Sequence, residues 1–237
     1  MQRSIKNLLI LLGATTLISL IFKGPVPIML KWLDPHMWLG LSNWGLSNFF
    51  LWQIFTYILL PTLDADASLM FLFNTGFTLY LLSTVGRALI AQKGQKSFWM
   101  LFLGSGAFGG LIASIALLLF PSNLALLAGW TPALYGLLMG WMLINAHGRV
   151  LVFFAIPCQV KWVVLGAAAL TLYFDLTAGH YHQFIASLSA VLFAYTYAIT
   201  AWQIHSPFAR LHRFEAFLHR LSGKKQTKVY DFEIHAR

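Results

Sequence analysis

From Phe98 to Phe120 the chain runs without one charged side chain. As a helix such a run is long enough to cross the ~30 Å hydrocarbon core of a bilayer. It is not an isolated case. Hydrophobic residues make up 59% of the 237 positions and charged residues only 10%, against about 25% charged in soluble domains. One soluble core cannot hide that much apolar surface. Helices satisfy their own backbone in lipid, so the sequence predicts an all-α, polytopic membrane protein.

The other apolar runs set the order of spans. Leu8 to Phe22 follows the basic start Arg3 and Lys6. It has the flanks of a signal peptide, but Lys23-Gly24-Pro25 replaces a small-residue cleavage site, which predicts an uncleaved first span. Ser68 to Leu82, ending at Gly86-Arg87, is the second, and Phe98 to Phe120 the third. Gly104, Gly106, Gly109, Gly110 and Ser114 in that third span are small enough to let neighbouring backbones approach closely. After the turn Pro121-Ser122-Asn123 come Leu124 to Asn145, Val160 to Phe174 and Gln183 to Trp202, with Lys161 placed to snorkel. Val150 to Pro157 is apolar but too short to cross, and reads as interfacial.

Between the first and second spans, Gly24 to Gln53 is rich in tryptophan (Trp32, Trp38, Trp44, Trp52). Amphipathic rings settle at the membrane boundary, so short interfacial helices are expected there. Asp64, Asp66 and Asp175 read as solvated loop charges. Past Ser206, Phe208, Leu211, Phe214, Leu218 and Leu221 share one helical face, with Arg210, Arg213, Arg220, Lys224 and Lys225 on or beyond the other. This predicts a surface helix on anionic lipid with a disordered end. The chain thus divides into a transmembrane domain, 1–205, and a basic tail, 206–237.

A net charge of +9 would suit nucleic acid, but its placement argues otherwise. With a cytoplasmic N-terminus and six spans, all of the 16 basic residues except Lys23 and Lys31 fall inside. Asp34, Asp64, Asp66 and Asp175 fall outside. The bias predicts both termini in the cytoplasm, with a bacterial inner membrane as the simplest home, and it explains the charge without a nucleic-acid partner. The single cysteine, Cys158, excludes an internal disulfide and a cysteine-based zinc site. His180-x-His182 alone is a weak zinc signal, so no metal is assigned. No internal repeat supports an inverted-repeat transporter.

Polar groups reach membrane depth at Asn74, at Thr131 with Tyr135, and at His180 with His182. Each alone would make one interhelical hydrogen bond. The stretch Gly129-Trp130-Thr131-Pro132-Ala133-Leu134-Tyr135-Gly136 is small and kinkable at its start. Non-helical backbone is tolerated in a membrane only against protein or a water-filled cavity, so this stretch is either a packing contact or the floor of a site.

In order and spacing these features resemble the rhomboid superfamily from Trp52 to Trp202. Trp52-Gln53-Ile54-Phe55-Thr56 is similar to a Trp-Arg-x-x-Thr motif with Gln53 at the arginine. Leu69 to Asn74 is similar to the second span's His-x-x-x-Asn, with Met70 at the histidine. Gly104 to Gly110 resembles the Gly-rich third span. The Gly129 stretch is similar to Gly-x-Ser-Gly, with Thr131 at the serine and Pro132 at the second glycine, and Tyr135 and His182 match an aromatic and a histidine of the family. The resemblance implies a six-span rhomboid-like bundle. In active members it implies a Ser–His dyad that cleaves transmembrane helices, with no cofactor. Three parts are altered here. The methyl of Thr131 restricts its χ1, Pro132 lacks an N–H and Met70 cannot donate. One lost oxyanion donor typically costs about 100- to 1000-fold in kcat. The expectation is a pseudoprotease, derlin-like, that binds transmembrane segments of partner proteins through an opening near spans two, five and six. Ala186, Ser187, Ser189 and Ala190 are expected to face that opening. The rival is an intramembrane peptidase using Thr131, or Ser105, with His182.

Overall fold

The computed structural model describes residues 3–23, 34–61, 69–120, 126–152, 156–204, 206–208 and 211–221. Lys31, Trp32, Asp64, Asp66, the Pro121–Asn123 turn, the side chain of Met70 and the tail beyond Leu221 lie outside the described residues. Four helices are long and apolar enough to cross a membrane: Arg3–Phe22, Phe71–Leu119, Val160–Thr177 and Tyr181–Trp202. They belong to α1 (Arg3–Lys23), α5 (Leu69–Leu119), α7 (Val160–Thr177) and α8 (Tyr181–Trp202). Their outward residues, such as Leu17, Phe73, Leu118, Trp162 and Leu192, are large, apolar and exposed. That is the construction of an integral membrane protein, whose outer surface is solvated by lipid tails.

Helix α5 is 51 residues long and is broken once, at Gly94 (φ 83°, ψ 165°). That backbone conformation is open to glycine and strained for other residues. The break divides α5 into arms 69–93 and 95–119, each ~37 Å at 1.5 Å per residue. The first arm therefore runs past Gly86-Arg87, where the sequence reading ended it. Gly86 lies inside that arm, and its missing Cβ makes room for Phe98: a Cβ there would lie 2.9 Å from the ring.

The core is built where the second arm of α5, α6 (Thr131–Ile144) and α8 cross. The glycines of the third apolar run act as expected. A Cβ at Gly109 would stand 2.8 Å from the Ala186 carbonyl oxygen of α8, and one at Gly106 2.8 Å from Ile58. A Cβ at Gly136 of α6 would run into the Ser105 side chain. Phe98, Leu101, Phe102, Leu137, Met142 and Ala198 fill the space between. Helix α1 buries Ile5, Leu8 and Leu12 and donates a hydrogen bond from Thr15 Oγ1 to the Leu59 carbonyl at 2.6 Å.

The tryptophan-rich segment forms the expected short helices: α2 (Pro35–Leu39), α3 (Asn43–Ser47) and α4 (Gln53–Thr56), followed by a 3₁₀ turn (Tyr57–Leu59). Gln53 holds them together. It is fully buried, accepts from the Ser42 N–H at 3.3 Å and donates to the Met37 carbonyl at 3.2 Å. Phe50 stacks on Trp52 and Trp38, with Trp44 edge-on. Buried Tyr57 then ties the segment to α5 by donating to the Gly106 carbonyl at 2.8 Å, and burial pushes its phenol up from the ordinary range.

Within the stretch read as too short to cross, β3 (Arg149–Val152) pairs antiparallel with β4 (Ile156–Gln159), in register Val150–Cys158, and the pairing satisfies backbone groups of both. Two sequence expectations are corrected. The fourth helix begins at Thr131 rather than Leu124, because β2 (Leu126–Leu127) pairs with β1 (Leu41–Ser42). In α9 (His212–Leu221) the apolar stripe is split: Leu218 packs on the core with Phe208, while Leu211, Phe214 and Phe217 stay exposed. The docked side of α9 is centred on buried Glu215.

Candidate functional site

The irregular stretch before α6 is buried in protein. Leu127, Ala128, Gly129 and Trp130 are all covered, and the Gly129 N–H donates to the Tyr57 carbonyl at 3.1 Å. Gly129 has φ 136°, a value favoured by glycine. Pro132 at the second helical position suits a helix start, since an N–H there would have no partner within the helix. The stretch is thus a packing contact, and Ala128, Trp130, Thr131, Leu134 and Tyr135 also line a cavity.

That cavity has a volume of about 1500 Å³. It lies between the first arm of α5, the ends of α6 and α8, and one face of α7. Asn74, Thr131, Tyr135 and His182 all line it. These four residues, brought from three helices, thus share one space. Thr131 is the first residue of α6 and half-buried, and Tyr135 follows one turn later. The Tyr135 hydroxyl is hydrogen-bonded to Thr171 Oγ1, with the Ala167 carbonyl 3.5 Å away. Tyr135 therefore spans the gap between α6 and α7.

His182 is held by the turn that precedes it. Helix α7 ends in a Schellman turn: the Gly179 N–H donates to the Leu176 carbonyl at 3.2 Å and the His180 N–H to the Asp175 carbonyl at 2.8 Å. Gly179 supplies the required left-handed conformation, φ 77°. His180 is the N-cap of α8, and His182 lies in the first turn of that helix.

Ser105 is not part of this site. It is fully buried in the second arm of α5, bonds to the Leu101 carbonyl of its own helix and packs against Gly136. Ala186, Ser187, Ser189 and Ala190 are buried in α8 and are not among the described residues lining the cavity, contrary to expectation. Ala186 serves the close approach at Gly109.

Asp175 was read as a solvated loop charge, and this too is corrected. Helix α7 runs to Thr177, so Asp175 lies within its last turn, lines the cavity and is half-buried. Thr171 lines it as well. The sequence carried the signal: Ala167, Thr171 and Asp175 recur at i, i+4, which places them on one helical face. The apolar run ends at Phe174, and that end hid the pattern. Asp175, His180 and His182 line the same cavity, yet among the described residues no three His, Cys, Asp or Glu converge as a metal site.

No family model, curated protein or solved structure matches this chain.

Proposed function

We propose that this protein is a rhomboid-like pseudoprotease: it binds transmembrane segments of partner proteins and does not cleave them. In this reading the chain crosses the membrane six times. The spans are α1, the two arms of α5, α6, α7 and α8, and both termini are cytoplasmic. Helix α6 has 14 residues, ~21 Å of helix, and is short for a bilayer. Its buried, strand-paired approach would make up the depth, since irregular backbone in a membrane needs protein around it.

The observation that carries the proposal is the cavity of about 1500 Å³ walled by α7. Of the 18 residues of α7 only Val160 and Val164 are buried. A wall so lightly packed can move aside for a helix entering from the lipid. Two features argue against cleavage. A threonine nucleophile is crowded by its own methyl. Pro132 removes an amide donor from the helix start that would face an oxyanion.

A second reading, an intramembrane peptidase, is favoured by one fact: Thr131 and His182 line the same cavity. The two readings separate in a cleavage assay. The purified chain is incubated in detergent and in bilayers with single-span substrates, beside His182→Ala. The expected outcome is no product from either. Product from the parent that vanishes in the variant would overturn the proposal and establish a Thr–His dyad.

A further inference from the structure

Asp175 is the sole Asp, Glu, Lys or Arg among the described residues lining the cavity. Its Oδ2 is buried and has no hydrogen-bond partner among the described residues. A buried carboxylate oxygen without a partner is costly, and ionisable groups at membrane depth are retained where they serve a site. The position makes the cost higher. Asp175 sits in the last turn of α7, the negative end of the helix dipole, where a carboxylate is disfavoured. His180 lies close enough to favour its charge, but no neighbour among the described residues donates to Oδ2. The Thr171 hydroxyl, one turn back, is engaged with Tyr135 across the gap. The backbone N–H of His180 is taken by the Asp175 carbonyl rather than the carboxylate. What would satisfy Oδ2 is a donor brought from outside, best a positive one.

Resting on the helix-binding reading above, we infer that the cavity selects transmembrane segments carrying a lysine or arginine near one end, with Asp175 as the counter-charge. The depth fits. Basic side chains in spanning helices lie near their ends, where the long stem snorkels toward the interface. Asp175 stands two residues from the end of the α7 span. Apolar lining such as Leu134, Leu138 and Leu170 takes the body of the segment, and Asp175 reads its end.

The test uses the full chain in dodecyl maltoside micelles, which contain no ammonium headgroup. Two labelled synthetic spans of about 20 residues differ at one position, one turn in from the end: lysine in one, leucine in the other. Binding is read by fluorescence anisotropy. The lysine span is expected to bind roughly 10- to 100-fold more tightly. Asp175→Asn should bring it to the level of the leucine span and leave the leucine span unchanged. Asp175→Lys should prefer a span with glutamate at that position. Equal binding of the two spans to the parent chain would overturn the inference and leave the helix-binding reading standing, with Asp175 then satisfied inside the chain, His180 being the group at hand. Binding of neither span would overturn both. Should a variant not fold, the two spans on the parent chain still decide.

Discussion

Helices α6 and α7 face each other across the cavity and are held in opposite ways. In α6, 10 of 14 residues are buried, and its glycines are in contact with neighbouring helices. In α7, 2 of 18 are buried, and Gly166 has open space where a Cβ would go. The chief polar tie between them is Tyr135 to Thr171. Both helices are apolar, so hydrophobicity alone does not set the difference. Nor does the number of small residues, since α7 carries Gly166, Ala167, Ala168 and Ala169. The glycines of α6 serve close approach to a neighbour and Gly166 does not, and in lipid only close backbone approach favours helix against helix. The cavity therefore has one densely packed wall and one lightly packed wall, and in the helix-binding proposal these are the fixed and the yielding wall.

Two matched substitutions break that comparison most directly. Gly136→Leu would drive a side chain into Ser105 and the second arm of α5. It should cost about 3 kcal/mol, enough to lower the thermal midpoint sharply or abolish the folded state. Gly166→Leu adds the same atoms to α7 where nothing lies within 4 Å, and should change stability by no more than about 0.5 kcal/mol. Thermal unfolding in detergent reads both, and similar losses from the two would end the distinction between the walls. A smaller effect sharpens it. Tyr135→Phe and Thr171→Val should each cost about 1 kcal/mol, and the double variant no more than either alone. Amide exchange should quicken along α7 and stay slow in α6. Quickening in α6 instead would mean that Tyr135 serves its own helix.

How far these walls could be read in advance depends on what each one uses. Gly104 to Gly110 announced a close crossing, because only small residues permit one, and the crossing is there. The fixed wall was legible for that reason. The yielding wall was not. Asp175 follows an apolar run directly, so a length rule ended the span at Phe174, although the helix needs three more residues to reach its Schellman turn at Gly179. The pairing of Arg149–Val152 with Ile156–Gln159 has no local signature, because a short apolar run fits helix and strand equally well. Gln53 was seen only as a replaced arginine. Its work of satisfying two carbonyls of α2 and the Ser42 amide is a tertiary arrangement that no local pattern carries.

A third helix extends the comparison to its mildest case. Like α7, α9 is peripheral, but it is latched by a carboxylate instead of a hydroxyl. Glu215 Oε1 accepts from Tyr195 Oη of α8 at 2.8 Å and from the Ser206 N–H at 3.2 Å, and His212 lies on the same patch, its Nε2 3.1 Å from the Ser206 carbonyl oxygen. Burial alone would raise the Glu215 carboxyl, but the hydrogen bonds from Ser206 and Tyr195, with His212 nearby, outweigh it and hold it below its ordinary value. A carboxylate lowered in the folded state stabilises docking fully above its unfolded pKa, about 4.3, and loses that contribution as pH falls through the lower folded value. Proteolysis of α9 should therefore stay slow at neutral pH and quicken only below the ordinary carboxylate range. In Glu215→Gln it should be faster at every pH and lose the acid step. An acid step that survives in Glu215→Gln would assign the latch to another group. Because only one surface helix is released, the spanning bundle should unfold at an unchanged temperature in both proteins.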